Sequence, residues 1–348
     1  MSLPDTLPSA VVFGCGGTAL THEEAALFAR VRPAGFILFA RNCETPAQVR
    51  ALTAALREAA GVPDALMLID QEGGRVARLR PPHWRLPPAA AAFGRVWRRD
   101  PAMAVEAARA SASLMGLELV DLGIDVDCAP VLDLGLPDTT AAIGDRAFAA
   151  EPHVVAALGR AVVEGLLAAG VMPVIKHIPG HGRARADSHR VLPAVDAAAS
   201  LLDASDFVPF RSLADAPAAM TAHVAYAALD DGVAATLSRK VIADYIRGAI
   251  GFAGLLISDD ICMGALKGTH GERAVAALSA GCDLALHCSG VLSDMQSVAD
   301  AIPALTPPSA SRLTSAKRRR SEATRALDRT LLLATMARAG LAGDGKGI

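Results

Sequence analysis

The sequence predicts a (β/α)8 barrel built as a single α/β domain, and three observations lead to this prediction. Eight short apolar runs recur along the 348 residues, each without strict alternation of apolar and polar positions. Such runs are typical of parallel strands that are buried on both faces. Segments with helix start and stop signals separate them, and eight strand–helix repeats are the number that a closed barrel needs. A doubly wound open sheet also alternates strands and helices. However, eight strands that follow one another without a change in the type of sequence favour a closed barrel.

The strands and helices follow each other in a regular order. The eight apolar runs are AVVF (10–13), GFILFA (35–40), ALMLID (65–70), IDVDCAP (124–130), VMPVIKH (171–177), AAMTAHV (218–224), GLLISD (254–259) and DLALHC (283–288). Between the second and third runs, the sequence predicts a helix in which Thr45 is the N-cap and Pro46 is the first helical residue. Gly61 stands where the helix ends. The same pattern recurs over residues 100–123 and 151–170. We therefore expect a parallel sheet with helices between its strands.

The prediction divides the chain into two parts. Residues 1–306 form the barrel that carries catalysis, and residues 307–348 form a C-terminal helical extension packed on the barrel. A basic cluster in the extension, KRRR (317–320), has the pattern of a solvated helix face. The extension ends in a glycine-rich tail that we expect to be loose.

Composition excludes several classes of protein. Apolar residues make up 52% of the chain, which suits a large core and excludes intrinsic disorder. Because 34 basic side chains oppose 36 acidic ones, no overall field favours nucleic acid or an anionic membrane surface. No apolar run reaches the roughly 18 residues of a membrane span, and no signal peptide pattern is present. We expect a cytoplasmic protein that binds a small substrate and has no nucleic-acid, membrane or obligate protein partner.

The cysteines fit a reducing compartment. They are spread along the chain without a CxxC pair, at Cys15, Cys43, Cys128, Cys262, Cys282 and Cys288. Several stand inside apolar runs, so we expect buried, reduced thiols rather than a disulfide framework.

A barrel places its catalytic side chains at the carboxyl ends of the strands. The polar residues at these ends are Asp70, Lys176, His177, His223 and Asp259. The loop after the fifth strand, KHIPGHGRARADSH (176–189), adds two more histidines, an aspartate and two arginines. Because these residues come from separate strands that open on one mouth, the sequence predicts an enzyme.

Two carboxylate motifs at this mouth suit sugar chemistry as well as simpler roles. DQEGGRVARLR (70–80) places an acid at a strand end with Arg75 and Arg78 close behind, which suits hydrogen bonds to sugar hydroxyls or a solvated turn. ISDD ends in Asp259 and Asp260, and alternation along a strand sends adjacent side chains to different sides. One carboxylate is therefore suited to act as a nucleophile, and its neighbour is suited to cap the following segment.

Two cofactor alternatives arise from other motifs. GCGGTA (14–19) matches the dinucleotide pattern G-x-G-x-x-G/A, but the capping box of Thr21 and Glu24 starts the helix only after the glycines. The loop after strand five also holds residues of metal-ligand type, at His177, His181, Asp187 and His189. Metal-dependent barrel hydrolases usually add an HxH pair after strand one, and this strand ends in glycines. We predict no cofactor and no metal, with a metal-dependent barrel hydrolase as an alternative.

The string K-H-I-P-G-H-G-x4-D-S-H resembles the signature of glycoside hydrolase family 3 β-N-acetylhexosaminidases, bacterial enzymes of cell-wall recycling. The segments GFILFARN, DQEGGRVARL, CAPVLDLG, AAIGDRAF, TAHV and ISDDICMGAL occur in the family's order. Together they span from about residue 10 to residue 290, and the KH-to-DSH loop and the SDD segment are the most specific.

The resemblance implies a role for eight residues. Asp259 is expected to be the catalytic nucleophile and His189 the general acid/base, with Asp187 as its carboxylate partner. Five residues are expected to bind the non-reducing N-acetylglucosamine: Asp70, Arg78, Arg146, Lys176 and His177. Ala147, where a serine is common, and Cys262 depart from the family's pattern, which affects fine specificity more than the reaction.

The implied reaction is retaining hydrolysis. Asp259 attacks the anomeric carbon and forms a glycosyl-enzyme ester, which water then hydrolyses. His189 protonates the leaving sugar and later deprotonates the water, because a histidine changes its protonation near neutral pH. Asp187 fixes the imidazole as the acid does in a Ser-His-Asp triad. A neutral imidazole does not repel an anionic acceptor, so an N-acetylglucosaminide phosphorylase is the alternative on this scaffold.

Two further expectations concern the substrate and the loop. The resemblance implies cleavage of peptidoglycan fragments, namely N-acetylglucosamine linked to 1,6-anhydro-N-acetylmuramic acid, and its peptides. Gly180 and Gly182 are expected to let the loop close over the sugar and withdraw. His181 has no assigned chemistry, and we expect a structural role for it.

Overall fold

A closed barrel of eight parallel strands forms the centre of the protein, which confirms the predicted fold. The computed structural model describes residues 7–342. The strands are β1 (Ser9–Phe13), β2 (Pro33–Leu38), β3 (Leu66–Ile69), β4 (Val126–Asp127), β5 (Met172–Ile178), β6 (Ala194–Val195), β7 (Ala218–Thr221), β8 (Ala225–Tyr226), β9 (Asp231–Ala234), β10 (Leu255–Asp260) and β11 (Leu284–His287). The barrel contains β1, β2, β3, β4, β5, β7, β10 and β11 in chain order. Each of the eight apolar runs contributes one of these strands.

Apolar side chains fill both sides of the barrel wall. One buried cluster gathers branched side chains from strands around the barrel, including Val12, Leu68 and Ile257. The alternate residues of the strands, such as Phe13 in β1, belong to a second and larger core beneath the helices. Both faces of each strand are therefore buried, which explains why the runs are continuous rather than alternating.

The helices lie outside the barrel, and four of them begin where the sequence predicts, after Thr21, Thr45, Asp100 and Glu151. They are α1 (His22–Val31), α2 (Pro46–Ala60), α3 (Ala90–Trp97), α4 (Pro101–Asp121), α5 (Pro152–Ala168), α6 (Ala199–Ala204), α7 (Phe207–Ser212), α8 (Ala227–Asp230), α9 (His270–Ala280), α10 (Leu292–Ala299), α11 (Pro307–Ala323) and α12 (Arg329–Arg338), with a π-helix over Val241–Ala249. The Thr45 side chain accepts the backbone N–H of Gln48. Thr21 and Glu24 form the expected capping box of α1. Among residues 7–342, no helix has the length and hydropathy for crossing a membrane.

The C-terminal helix α11 is attached to the N-terminal end of the barrel by ion pairs. Lys317 Nζ lies 2.6 Å from Asp64 Oδ2, and Arg320 pairs with Asp125 just before β4. The predicted solvated basic face is therefore wrong for Lys317 and Arg320, although Arg318 remains exposed and pairs only within its helix. The reason is that the aspartates preceding β3 and β4 supply the counter-charges. The tail at 343–348 lies outside the described residues.

A small three-stranded sheet stands beside the barrel mouth. It has the order β6–β8–β9, with β6 parallel to β8 and β8 antiparallel to β9. Its strands come from the loops that follow β5 and β7, and Tyr226 donates a hydrogen bond to the carbonyl oxygen of Gly180. The sheet therefore supports the loop that carries the clustered histidines.

Candidate active site

A pocket of about 430 Å³ opens at the carboxyl ends of the barrel strands. Its lining includes all eight residues to which the sequence analysis gave a role: Asp70, Arg78, Arg146, Lys176, His177, Asp187, His189 and Asp259. The volume is within the range of small-ligand sites, roughly 300–1,000 Å³. The barrel thus brings together residues that are up to 189 positions apart in sequence, as Asp70 and Asp259 are.

One wall of the pocket is a chain of alternating charges. Arg78 Nη2 lies 2.9 Å from Asp70 Oδ2, and Lys176 Nζ lies 2.8 Å from Asp70 Oδ1. Lys176 Nζ also lies 2.6 Å from Glu72 Oε1. Arg146 completes the chain with two hydrogen bonds of 2.8 Å to Glu72. Three cations and two carboxylates therefore hold one another in fixed positions beside the cavity.

The groups of this charged chain are ionised at neutral pH. Burial works to raise the pKa of Asp70, but Lys176 and Arg78 outweigh it and hold that pKa well below its usual range. Burial likewise opposes ionisation of Glu72, yet Arg146 and Lys176 lower its pKa to about 2. Burial works to lower the pKa of Lys176, while Asp70 and Glu72 raise it above its usual value. The wall therefore presents fixed donors and acceptors to polar ligand groups.

His177 is oriented by a carboxylate that the sequence analysis missed. Asp133 is completely buried, and its Oδ2 lies 2.6 Å from His177 Nδ1. Its Oδ1 accepts the backbone N–H groups of His177 at 3.2 Å and of His181 at 2.6 Å. Burial works to raise the pKa of Asp133, but His177 outweighs it and the pKa is lowered to about 2. Since the charged acid occupies Nδ1, the imidazole of His177 has only Nε2 left for a ligand.

Asp259 and Asp260 take different roles at the end of β10. Asp259 Oδ1 accepts the backbone N–H of Asp260 at 2.8 Å. Asp260 uses its own Oδ1 to accept the backbone N–H groups of Cys262 at 3.0 Å and Cys288 at 3.1 Å. Alternation along the strand thus separates the pair as predicted, with Asp260 joining β10 to the end of β11. Asp259 keeps its second carboxylate oxygen available to the pocket.

The two carboxylates also differ in pKa. Burial works to raise the pKa of Asp259, but His223 and His177 outweigh it and lower that pKa below its usual value. Burial raises the pKa of Asp260, and the charge of Asp259 adds to this effect. Both aspartates border the cavity, and Asp259 is the one whose lowered pKa favours the ionised form, which suits the nucleophile role that the family resemblance implies.

His223, another polar residue at a strand end, is a structural residue. It is completely buried, with Nδ1 2.8 Å from Thr236 Oγ1 and Nε2 donating to the carbonyl oxygen of Asp260 at 3.0 Å. Burial lowers its pKa. Both ring nitrogens are engaged by the protein, so His223 supports the Asp259–Asp260 segment rather than the cavity.

The Asp187–His189 pair stands at the open rim of the pocket. Asp187 Oδ1 lies 2.7 Å from His189 Nδ1 and accepts the His189 backbone N–H at 3.0 Å. The side chains remain 37% and 66% exposed, respectively. Slight burial works to raise the pKa of Asp187, but the hydrogen bonds from His189 outweigh it and lower that pKa. The imidazole is oriented by the carboxylate, while its Nε2 has no hydrogen-bond partner within residues 7–342.

The rim loop is attached to the segment that follows Asp259. The backbone N–H of Gly264 donates to the carbonyl oxygen of His189 at 3.0 Å, and that of Ala265 donates to Ser188 at 3.2 Å. A Cβ on Gly264 would lie only 2.7 Å from the carbonyl oxygen of Arg190. This close approach requires glycine, and it couples the position of His189 to the strand that carries Asp259.

The loop's own glycines are closely packed against their neighbours, and the loop motion that we expected of them stays a prediction. A Cβ on Gly182 would lie 2.5 Å from the carbonyl oxygen of Leu134. Gly180 has a φ of +140°, and its Cβ would lie 3.1 Å from Asp206. The first half of the loop is buried against these neighbours, whereas the half near His189 is more exposed.

His181 has the structural surroundings that we expected. Its ring Nε2 lies 3.2 Å from Ser188 Oγ, which joins the two halves of the loop. Burial lowers its pKa to about 4, so the ring is neutral at pH 7. It borders the pocket, but its hydrogen bonds are to Ser188 of the loop and to Asp133.

Two residues with large effects on this pocket were missed from the sequence, Glu72 and Asp133. Each follows a strand end within a segment that we had quoted, DQEGG and CAPVLDLG. The signal in the sequence that could have identified them is an acidic side chain just after the end of a strand. Neither motif contains its cationic or imidazole partner, since Arg146 lies in a 3-10 turn after β4 and His177 lies in β5.

The glycine-rich turn after β1 is filled by the protein itself. The Asn42 side-chain amide donates to the carbonyl oxygens of Cys15 and Gly17 at 3.1 and 2.7 Å. Glu24 Oε1 accepts the backbone N–H of Gly16 at 2.8 Å. The Glu24 carboxylate thus accepts a backbone N–H that a bound pyrophosphate would need as a hydrogen-bond donor. This disfavours the dinucleotide alternative.

Comparisons with known proteins agree with this arrangement. A family model for the glycosyl hydrolase family 3 N terminal domain matches residues 7–320. A protein named Beta-hexosaminidase from Alkalilimnicola ehrlichii is 44% identical over 283 residues, covering 80% of both chains. Another Beta-hexosaminidase, from Chromobacterium violaceum, is 40% identical over 330 residues, covering 93% of this chain and 90% of its own. A crystal structure of NagZ from Neisseria gonorrhoeae with N-trifluoroacetyl-D-glucosamine has a TM-score of 0.86 and 31% identity, covering 98% and 100% of the two chains.

Proposed function

The chain belongs to glycoside hydrolase family 3 and is a β-hexosaminidase of that family, and from this premise we propose that it is a retaining exo-β-N-acetylglucosaminidase. It removes the terminal N-acetylglucosamine from peptidoglycan fragments and passes through a covalent ester on Asp259. The observation that carries this proposal is the composition of one pocket. Ionised Asp259, the charged chain and the Asp187–His189 pair all border the same cavity.

In the first step, Asp259 attacks the anomeric carbon of the bound sugar. The Asp260 N–H hydrogen bond holds Oδ1, so Oδ2 forms the new C–O bond as the glycosidic C–O bond breaks. His189 donates a proton to the departing oxygen from the nitrogen that Asp187 leaves free, Nε2. The products of this step are the glycosyl ester and a free aglycone.

In the second step, the same imidazole acts in the opposite direction. Neutral His189 takes a proton from water, whose oxygen attacks the anomeric carbon and displaces the Asp259 carboxylate. Asp187 stabilises the imidazolium that forms, as a carboxylate does in a Ser-His-Asp triad. Two inversions at the same carbon retain the β configuration.

The charged chain supplies the sugar-binding groups of the proposal. Asp70 and Arg78 offer an acceptor and a donor side by side, which suits adjacent hydroxyl groups. His177 offers Nε2, since Asp133 holds Nδ1. Because this wall is fixed by internal ion pairs, binding requires little reorganisation of the protein.

The aglycone of the proposal comes from the family resemblance, which implies the anhydro-muramic acid residue and its peptide. The exposed His189 and partly exposed Asp187 at the pocket rim are compatible with a large leaving group. We place the reaction in the cytoplasm. The six cysteines are all free thiols, which agrees with a reducing compartment.

A paired-substrate assay tests the activity. The purified protein should cleave an aryl β-N-acetylglucosaminide at least about 100-fold faster than the matched aryl β-glucoside, which lacks the 2-acetamido group. Proton NMR of the first product should show the β anomer, and a slow-turnover 5-fluoro sugar should add its glycosyl mass to the peptide that contains Asp259. An α anomer would refute the retaining mechanism.

The same assay in phosphate buffer shows whether water or phosphate accepts the glycosyl group. Free N-acetylglucosamine as the only product supports hydrolysis, whereas sugar-1-phosphate at a rate that rises with phosphate would make the protein a phosphorylase. The comparisons favour the hydrolase, since the Alkalilimnicola ehrlichii and Chromobacterium violaceum relatives carry the name Beta-hexosaminidase.

A further inference from the structure

A second cluster of metal-binding side chains lies just outside the sugar pocket. We propose that Cys262, His270 and His287 form a binding site for a zinc-type transition-metal ion. None of the three lines the sugar pocket. These residues come from three different elements, so no local sequence pattern connects them, and from the sequence we expected no metal. Cys262 follows β10, His270 begins α9 and His287 ends β11.

The distances suit one ion. A single ligand atom from each residue lies within 4.8 Å of those from the other two. His287 Nε2 and His270 Nδ1 are 3.3 Å apart. Two nitrogen atoms bound at about 2.0–2.1 Å to a tetrahedral ion would be separated by roughly 3.3 Å. The imidazoles therefore already have the spacing that a shared ion requires.

The donor set and its charge also suit a zinc-type ion. Thiolate and imidazole are preferred ligands of Zn²⁺, whereas Mg²⁺ and Ca²⁺ prefer oxygen. The carboxylate of Asp294 lies 3.8 Å from His270 Nδ1 and adds a negative charge beside the three ligands. With a Cys262 thiolate, this carboxylate would balance the two positive charges of the ion.

The proposed metal site combines one buried ligand with two that are partly exposed. His287 is completely buried and packs edge-on against Phe13 and against His270, with ring centroids 5.8 and 5.1 Å apart. Cys262 and His270 are partly exposed. An ion can thus reach the cluster from solvent and find one ligand already held in place.

A bound ion would join the elements that carry the nucleophile. The backbone N–H of Cys262 holds the Asp260 carboxylate, and the backbone N–H of Asp260 holds Asp259 Oδ1. An ion bound to Cys262 and His287 would therefore fix the ends of β10 and β11 relative to α9. We infer a stabilising role for the ion, without participation in sugar chemistry.

Cobalt(II) is the probe that tests this site, since it replaces zinc and reports thiolate ligation by absorption. Titration of the metal-free full-length chain should give one equivalent of bound cobalt, a sulfur-to-metal charge-transfer band and intense tetrahedral visible bands. Cys262→Ser should remove the charge-transfer band, and His270→Gln should weaken binding at least 100-fold. Zinc should raise the Tm of the wild type but not that of Cys262→Ser.

Two matched variants distinguish this cluster from other sites. Cys43→Ser removes another partly exposed cysteine, which is not part of the three-residue group, and should leave the bands unchanged. Asp187→Asn alters the rim pair, which has no thiol, and should also leave them unchanged. Absence of a charge-transfer band in the wild type, or its persistence in Cys262→Ser, would overturn the proposal. These outcomes do not depend on any glycosidase assay, so the proposed function and this site fail separately.

Discussion

One oxygen of Asp187 holds both the ring and the backbone of His189. Oδ1 lies 2.7 Å from His189 Nδ1 and accepts the His189 backbone N–H at 3.0 Å. The His189 side chain is largely exposed and that of Asp187 is partly exposed, so this orientation depends on hydrogen-bond geometry rather than on burial. The pair is thus suited to move with its loop while keeping the imidazole in one orientation.

Replacement of His189 should affect substrates according to their leaving groups. We expect His189→Ala to lower kcat/KM on the order of 10²–10⁴-fold for substrates with poor leaving groups, because they need protonation. Activated aryl glycosides, whose leaving groups depart unprotonated, should lose much less in the glycosylation step. Steady-state rates across an aryl series give the dependence on leaving-group pKa. Equal losses across the series would argue against an acid role.

Replacement of Asp259 should abolish turnover without unfolding the protein. We expect Asp259→Asn to lower kcat by roughly 10³-fold or more, because the amide cannot form the glycosyl ester. Circular dichroism and thermal unfolding should show a folded protein, since Asn retains an oxygen that can accept the Asp260 N–H. Substantial residual turnover in a preparation free of contaminating enzyme would exclude Asp259 as the nucleophile.

Loss of the Glu72 charge should weaken both stability and sugar binding. Glu72→Gln leaves Lys176 and Arg146 without a shared counter-ion in a buried wall, which costs about 3–5 kcal/mol of unfolding free energy. KM should rise about tenfold or more as the wall loses its fixed geometry. The matched control is Asp145→Asn, which breaks an exposed pair with Arg75 and should cost less than about 1 kcal/mol. Similar unfolding curves for the two variants would contradict the argument.

The Asp133 carboxylate should contribute to acid stability. Its pKa in the folded protein is lowered to about 2 from the ordinary 3.8. A lowered pKa means that this stabilisation is complete above the unfolded-state value and is lost as pH falls from about 4 towards 2. The shift corresponds to on the order of 2 kcal/mol. Urea unfolding between pH 2 and pH 7 should show this slope in the wild type and a shallower one in Asp133→Asn.

Gly264 should be a positioning residue for the acid/base pair. In Gly264→Ala, the new Cβ would lie 2.9 Å from the carbonyl oxygen of His189 and would displace the rim loop. We expect kcat to fall for substrates with poor leaving groups, with little change in KM. Gly17→Ala is the control, because a Cβ there has no neighbour within 4 Å. Equal activity of the two variants would show that the contact does not matter.

Local sequence patterns predicted the elements of this fold well. The continuous apolar runs identified all eight barrel strands, because a buried parallel strand needs apolar residues on both faces. Thr45 and Thr21 marked helix starts, since an N-cap acts on backbone groups only a few residues away. The separation of Asp259 from Asp260 followed from the alternation of side chains along one strand. These predictions depend on interactions within one helix or strand, or between residues that are close in sequence.

The amino-acid sequence was sufficient to predict the barrel, the carboxyl-end position of its polar residues and the family resemblance that assigns them roles. Which of these groups contact one another depends on the three-dimensional structure. Glu72 joins Arg146 from 74 residues away, and Asp133 orients His177 from 44 residues away. Close packing of Gly182, the ion pairs of Lys317 and the Cys262 cluster likewise arise between distant elements. No local pattern encodes such contacts, because a side chain's partner depends on how strands and loops converge in space.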